Sequence, residues 1–228
     1  MDHDVDSIVS GLKKYYNKKN IEGMKRFGIT GKNVLGGPGI PALRKMAKDI
    51  GKNHALAQGL WKTDIHEARL LAGFIDDPEL VTEKQMDEWV NDFDSWDICD
   101  QVCSNLFDKT PYARKKILQW TKDDKEFVRR AGFVLMAALS VHDKKLDDST
   151  FIKYLSIIKK HSGDERNFVR KAVNWALRQI GKRNKRLNKE AIRISKDIYS
   201  LGTKSSRWIA NDALRELQSE AIIKRLKW

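Results

Sequence analysis

The chain has 228 residues, of which 41% are hydrophobic and 33% are charged, and its formal net charge is +13. A chain of this size and composition buries enough apolar surface for a globular protein, so we expect one domain over residues 1–228 rather than a disordered or fibrous chain. No apolar run approaches 18 residues, and the acidic, then amphipathic start MDHDVDSIVSGLKKYY does not resemble a signal peptide. We therefore expect a cytoplasmic protein with no membrane partner.

The excess positive charge lies entirely in the last third of the chain. Residues 151–228 hold 20 Lys and Arg against 7 Asp and Glu, whereas residues 1–150 hold 24 of each kind. A one-sided positive field favours a polyanionic partner, for which nucleic acid is the usual case. A basic surface that serves only solubility would give the same count, so the charge leaves both interpretations open.

The two cysteines, Cys99 and Cys103, are spaced one helical turn apart. No second His or Cys pair at zinc-ligand spacing accompanies them, so we expect small buried thiols rather than a metal or redox site. The sequence predicts neither a metal nor another cofactor.

Apolar residues recur at helical spacing through nearly the whole chain, and the alternation typical of strands is missing. The pattern predicts an all-α protein. Amphipathic helices are expected over residues 5–16, 40–50, 65–75, 83–93, 96–107, 113–120, 126–140, 150–162, 167–181, 189–200 and 206–217. Pro41 falls in the first turn of one helix, and Pro78 and Pro111 precede two others. Because the connections are short, neighbouring helices are expected to be antiparallel.

Several of these helices resemble one another. EFVRRAGFVLM (126–136) aligns with NFVRKAVNWAL (167–177) at an offset of 41, and NWALRQI (174–180) aligns with NDALREL (211–217) at an offset of 37. A period near 40 residues with a helix pair in each unit is the spacing of HEAT-like repeats. We therefore expect a HEAT-like α-solenoid of antiparallel helix pairs with a concave basic face.

A pair of basic residues recurs in these repeats: Arg129 and Arg130 in one, Arg170 and Lys171 in the next. Basic side chains at equivalent positions along a stack of repeats are expected to follow a phosphate backbone. Arg129 and Arg170 have a second interpretation, in which each pairs with an acidic residue of the neighbouring repeat.

The segment SWDICDQV (95–102) places Trp96 and Asp100 one helical turn apart on the same face. Asp97 falls in the first turn, where the helix dipole stabilises a negative charge by about 0.3–1 kcal/mol. Asp100 lies beyond that turn, so its place implies either a basic partner from an adjacent repeat or a functional role.

Trp175 is the second tryptophan with a candidate role, because it replaces the aliphatic residue of the preceding repeat, and Arg178 follows it by three residues. Aromatic, acidic and basic side chains from different stacked helices are expected to line one patch that suits a ligand with local positive charge. The remaining tryptophans are predicted to pack in the core or at a terminus: Trp61, Trp89, Trp120, Trp208 and Trp228.

These segments together resemble the AlkD-like family of DNA alkylation-repair proteins, which are HEAT-like DNA glycosylases. The resemblance covers nearly the whole chain and is carried by GIPALRKMAK (39–48), SWDICDQV (95–102), FVRRAGFVLM (127–136) and FVRKAVNWALRQIGK (168–182). It implies an enzyme that releases N3- and N7-alkylated purines from double-stranded DNA without a cofactor. Members of this family act on the lesion without a base pocket, and we expect a monomer.

Position by position, the resemblance implies that Trp96 and Trp175 flank the sugar of the lesion, Asp100 is the catalytic carboxylate and Arg130 lies beside the scissile bond. Arg130 and Arg178 would hold phosphates near the lesion. Because an alkylated base is cationic and leaves without protonation, the carboxylate would stabilise the positive charge that develops at C1′ and orient the attacking water.

Other functions remain open on the sequence. A non-catalytic HEAT-repeat module for bent or branched DNA would use the same basic face, with Asp100 as an ion-pair partner. A protein-binding solenoid explains the repeats and the charge but not the set formed by Trp96, Asp100 and Trp175. A helix-hairpin-helix glycosylase rests only on LGGPGIP (35–41), whose glycines are in the wrong order to present N–H groups to a phosphate.

Overall fold

The structure, a computed structural model, describes residues 4–31 and 33–226. Within these residues every regular element is helical, as the apolar spacing predicts, and no strand occurs. The helices are α1 Val5–Lys13, α2 Lys18–Arg26, α3 Ile40–Ile50, α4 His54–Lys62, α5 His66–Ile75, α6 Glu83–Asn91, α7 Trp96–Asn105, α8 Ala113–Trp120, α9 Glu126–His142, α10 Asp148–His161, α11 Asn167–Gly181, α12 Lys185–Tyr199, α13 Lys204–Leu217 and α14 Glu220–Arg225.

Polar caps define many of the helix starts. A side-chain oxygen just before the helix accepts a bond from a backbone N–H of the first turn, which otherwise has no partner inside the helix. The capping residues are Asp4, Asn17, Asn53, Thr82, Asp147, Asn184, Thr203 and Ser219. Pro41 lies in the first turn of α3, which confirms that expectation.

The chain divides into two compact units, one up to Ala113 and one from Arg114 onward. The expectation of a single domain is not tested by this division and stays a prediction. In the first unit α5 is central, because it packs against α3, α4 and α7. Nearly every residue of α5 is buried, so this helix forms the middle of the first unit's core.

In the second unit α11 packs against α9 on one side and α13 on another, while α10 and α12 pack against each other and against α11. The helices α9, α11 and α13 are the ones whose sequences align at offsets of 41 and 37. Equivalent residues of two repeats meet directly: the Phe127 and Phe168 rings stack with centroids 5.4 Å apart. The HEAT-like repeat is therefore confirmed.

The apolar spacing of the sequence did not predict three of the helices: α2, α4 and α14. The polar helix α2 has no fully buried residue, and its two large apolar residues, Ile21 and Met24, form a stripe too short to predict a helix. The helix α4 does bury an apolar face, but it is only nine residues long. The last helix, α14, has six residues and one buried side chain, Ile222.

The core tryptophans are mostly as expected. Trp61, Trp89 and Trp120 are buried, and the Trp61 and Trp89 rings stack with centroids 3.9 Å apart. The prediction for Trp208 is wrong, because this side chain is 39% exposed. Trp228 lies outside the described residues.

Cys99 and Cys103 are buried in α7, as expected. Among residues 4–31 and 33–226, no helix is long and apolar enough to cross a membrane.

Candidate functional site

In the first unit, α7 carries Trp96 and Asp100 on one face, and both side chains are half-buried. The other face of the helix holds it against the core through the buried residues Ile98, Cys99, Val102 and Cys103. Burial is the main cause that raises the pKa of the Cys103 thiol, and the nearby Asp100 carboxylate raises it further. The helix therefore presents a carboxylate and an indole together from an anchored backbone.

A hydrogen bond orients the Trp96 indole: its Nε1–H donates to the backbone carbonyl of Phe27, at 2.9 Å. Phe27 directly follows α2, so Trp96 links this polar helix to α7.

Asp97 has a specific partner in addition to the helix dipole. Its Oδ2 lies 2.9 Å from His66 Nε2, and both side chains are largely buried. Burial by itself lowers the pKa of His66, but the hydrogen bond and charge of Asp97 outweigh it and raise that pKa above 6.5. Burial likewise opposes ionisation of Asp97, and the contacts with His66 lower its pKa overall. The two groups thus favour an imidazolium–carboxylate pair.

An open cavity of about 950 Å³ lies beside this pair. It is bounded by α2, by the segment 36–40 and by the first residues of α5 and α7. Trp96, Asp97 and His66 all line it. The resemblance found in the sequence implied no base pocket, so this cavity was not anticipated.

The wall formed by residues 36–40 is held by Glu67, whose carboxylate accepts the backbone N–H groups of Leu35, Gly36 and Gly37 at 2.9–3.2 Å. Gly36 has φ of +79°, and a Cβ there would lie 2.5 Å from the Asn17 carbonyl oxygen, so only glycine fits. Because Glu67 uses these N–H groups, the glycine loop does not present them to a phosphate. This contact contradicts the helix-hairpin-helix interpretation.

In the second unit, Arg129 is paired with acidic groups. Its guanidinium donates to Asp164 Oδ2 at 2.9 Å and to the Asp123 carbonyl at 2.7 Å, with Asp124 Oδ1 at 3.4 Å. Asp164 precedes α11, so the bond joins two successive repeats. The pairing interpretation of Arg129 therefore describes its contacts, and phosphate binding by Arg129 stays a prediction.

Arg130 is only 5% exposed, and its Nη1 donates to the Phe168 carbonyl at 2.6 Å. The side chain therefore connects α9 to the first turn of α11. Its expected contact with the lesion also stays a prediction.

The next basic pair lies on α11, where Arg170 is half-buried and Lys171 is exposed. The Arg170 guanidinium lies 4.8 Å from the centre of the Trp208 ring, a cation–π contact with α13, and Lys171 is exposed. The sequence pattern did not indicate that Trp208 belongs to this surface. The sequence gives only a weak indication that Trp208 is exposed, because the exposure of one tryptophan in an amphipathic helix depends on which neighbouring helix covers it.

Trp175 is half-buried on α11, one turn beyond Lys171. Arg178 donates to Glu216 Oε2 at 2.6 Å and lies 3.5 Å from Asp212 Oδ2, both on α13. Lys182 binds the same Glu216 carboxylate at 2.7 Å. Arg178 is thus an inter-repeat ion-pair residue in this structure, and its expected phosphate contact stays a prediction.

The structure places the candidate residues in two groups. Trp96 and Asp100 share a face of α7 in the first unit. The others lie together on α9 and α11 in the second unit: Arg129, Arg130, Arg170, Lys171, Trp175 and Arg178. The expectation that both groups act on one lesion stays a prediction. Within the described part of the chain, no cluster of three or more His, Cys, Asp or Glu side chains could hold a metal ion.

Comparisons with known proteins agree with the repeat architecture. The model of a family described as DNA alkylation repair enzyme matches residues 8–217. No curated protein matches the chain. The solved structures that match include one with a TM-score of 0.81 and 20% identity, over 99% of this chain and 97% of that chain. That protein represents a new family related to the HEAT-like repeat DNA glycosylases, with affinity for branched DNA structures.

Proposed function

The chain belongs to the DNA alkylation repair enzyme family, and on this premise we propose that it is a DNA glycosylase for cationic N3- and N7-alkylated purines in double-stranded DNA. The observation that carries the proposal is the pairing of a half-buried carboxylate, Asp100, with an indole, Trp96, on one face of α7. A carboxylate next to an aromatic face suits a sugar that becomes positively charged, and repels an ordinary anionic DNA strand.

The chemistry follows from the charge of the damaged base. Alkylation at N3 or N7 makes the purine a good leaving group, so no acid has to protonate it. As the glycosidic bond breaks, positive charge develops on the sugar at C1′. The Asp100 carboxylate would stabilise that charge and accept a hydrogen bond from the attacking water, as stabilising carboxylates do in glycosidases.

The surroundings of Asp100 support this role because they hold it in a fixed place. The buried face of α7 anchors the backbone, and the Arg44 guanidinium of α3 donates to Gln101 and Asn105 at 3.0 and 3.1 Å. The Trp96 indole is oriented by its bond to the Phe27 carbonyl. Electrostatic catalysis depends on groups that are positioned before the reaction, because no energy is then spent on reorganisation.

Contact with the DNA backbone is assigned to the second unit. Lys171 is exposed, and Arg170 and Trp208 form a partly exposed cation–π pair beside it. Arg129 and Arg178 are engaged by acidic side chains and would act mainly by fixing one repeat on the next. Arg130, which bonds the Phe168 carbonyl, would position the first turn of α11 and so the Lys171 ammonium.

A non-catalytic function is the second candidate, because the protein with a similar fold has affinity for branched DNA structures. A basic surface on α11 and α13 would serve that function equally well, and Asp100 would then have no chemical role.

The two candidates are separated by measuring excision and binding on the same preparation. The wild type is incubated with a duplex that contains 7-methylguanine, and released base is quantified by chromatography. Binding to a four-way junction and to the intact duplex is measured at the same salt concentration. Release of 7-methylguanine supports the glycosylase; tight junction binding without any release supports the non-catalytic function.

A further inference from the structure

The cavity beside Trp96 is bordered by aromatic side chains that are unusually exposed. Tyr15 is 57% exposed and Phe27 is 74% exposed, and both line the cavity together with the half-buried Trp96. Large exposed aromatic residues are costly to leave in water, and two of them beside a third, half-buried ring at one opening mark a binding surface. Aromatic faces are also the usual platforms on which unpaired nucleobases stack.

The same opening carries positive charge from α2. Lys19 and Arg26 line the cavity, and no residue of α2 is buried. Helices in proteins are stabilised mainly by packing an apolar face, whereas the large apolar residues of α2, Ile21 and Met24, are only half-buried. Its sequence, KKNIEGMKR, instead supplies four basic residues against one acidic residue. The helix therefore fits a role in presenting charge to a ligand better than a role in the core.

The floor of the cavity contains a polar atom with no partner. His66 lines the cavity and is 3% exposed, and its Nδ1 is buried without a hydrogen bond in the part of the chain that the structure describes. Its Nε2 is held by Asp97, and Glu67 and Asp94 are the other acidic groups that act on the ring. Because Nδ1 has almost no exposed surface, a ligand in the open cavity meets the aromatic and basic side chains rather than this atom.

We infer that this cavity binds an unpaired nucleotide of a DNA strand, with the base against Tyr15 and Phe27 and the backbone phosphates near Lys19 and Arg26. A cavity of about 950 Å³ lies within the range of about 300–1,000 Å³ that is typical of small-ligand sites. The occupant is a nucleotide because aromatic faces and two cations meet at one opening. The inference rests on the proposed action on DNA, and it adds this cavity as a second place where the protein contacts the DNA.

Paired and unpaired bases are compared directly in the test. A short duplex carries 2-aminopurine either as a single-nucleotide bulge or opposite thymine, and protein is titrated while fluorescence and anisotropy are recorded. We expect the wild type to bind the bulged duplex more tightly than the paired one and to quench its 2-aminopurine, because stacking on an aromatic ring quenches this base.

The variant for this test is the double substitution Tyr15→Ala and Phe27→Ala. Loss of stacking is expected to weaken binding of the bulged duplex by about fivefold or more, since base–aromatic stacking is worth about 1–3 kcal/mol per base. Binding of the paired duplex should stay within about twofold. Trp96 keeps its bond to position 27, because the acceptor is a backbone oxygen. Tyr199→Ala, which removes another exposed aromatic ring (47% exposed), is the matched control.

An equal ratio of the two dissociation constants in wild type and double variant would overturn the inference. So would a wild type without preference for the bulge. Excision of 7-methylguanine is scored separately, so the two proposals fail independently. Excision without bulge preference removes only the cavity assignment, and bulge preference without excision supports the cavity assignment while removing the glycosylase.

Discussion

Arg129→Ala is expected to destabilise the second unit, because Arg129 joins two repeats rather than facing solvent. The substitution removes the bonds to Asp164 Oδ2 and to the Asp123 carbonyl. The two side chains of the ion pair, Arg129 and Asp164, are 16% and 7% exposed. Breaking a fully buried pair costs about 3–5 kcal/mol, whereas an exposed pair contributes about 0–1 kcal/mol. Because Asp164 keeps its second partner, Arg166, we expect a loss of about 2 kcal/mol.

Thermal unfolding followed by circular dichroism measures this loss. For a chain of 150–250 residues, 1 kcal/mol shifts the melting temperature by about 2–4 °C, so Arg129→Ala should melt about 4–8 °C below the wild type. A variant that melts with the wild type but binds duplex DNA more weakly would refute the pairing argument and make Arg129 a phosphate contact.

Lys171→Ala is the matched comparison, because Lys171 is exposed on α11 and has no ion pair in the structure's described residues. The melting temperature should not change. The salt dependence of duplex binding should become shallower by about 0.9 in the slope of log K against log salt concentration, as expected for one lost phosphate contact. An unchanged slope would remove Lys171 from the DNA surface.

Three further substitutions test the packing and the buried ion pair. Gly132→Ala should destabilise the protein by about 1–2 kcal/mol, because the new Cβ would lie 2.8 Å from the Thr121 backbone nitrogen. This loss outweighs the better helix propensity of alanine. Gly11→Ala is the control: its Cβ meets no atom within 4 Å, so this substitution should stabilise the protein. Equal urea midpoints for these two variants would contradict the packing argument. His66→Gln should lower the urea midpoint more at about pH 6 than at about pH 9. The reason is that the pKa of His66 is raised in the folded protein, so its contribution to the free energy of unfolding is complete below pH 6.5 and is lost as the pH rises through the folded pKa. A pH-independent difference would show that the His66–Asp97 bond does not depend on an imidazolium.

The sequence predicts the repeat well, because burial on one face of a helix imposes a spacing that is visible in the letters. The aligned segments 126–136 and 167–177 do lie on packed helices, and the aligned Phe127 and Phe168 touch. The helix α2 could not be predicted from such a spacing, because none of its residues is fully buried.

Individual roles of basic residues were harder to predict, since they depend on partners that are distant in the chain. Arg129 meets Asp164, and Arg178 meets Glu216, 38 residues away. The charge pattern of the sequence predicts that these arginines lie on a basic surface, but only the fold shows that each forms an ion pair with an acidic side chain. The signal in the sequence was the repeat itself, because a HEAT-like array allows a basic residue to pair with the next unit.

The cavity was missed for a related reason. Its walls come from α2, residues 36–40, α5 and α7, which are separated by long stretches of sequence. A local signal was present in KKYYNKKN (13–20) and MKRF (24–27), where basic and aromatic residues alternate in short polar segments. Such segments are typical of surfaces that bind single-stranded nucleic acid.

The central claim is that Asp100 stabilises the transition state of glycosidic bond cleavage. The measurement that tests it most directly is the single-turnover rate of 7-methylguanine release by the wild type, by Asp100→Asn and by Asp49→Asn, an exposed change of the same charge on α3. We expect Asp100→Asn to keep its fold and DNA affinity, while its rate of 7-methylguanine release falls by about 100-fold or more, the effect of removing one electrostatic catalytic group. Asp49→Asn should release the base at the wild-type rate. Release by Asp100→Asn at the wild-type rate would contradict the claim.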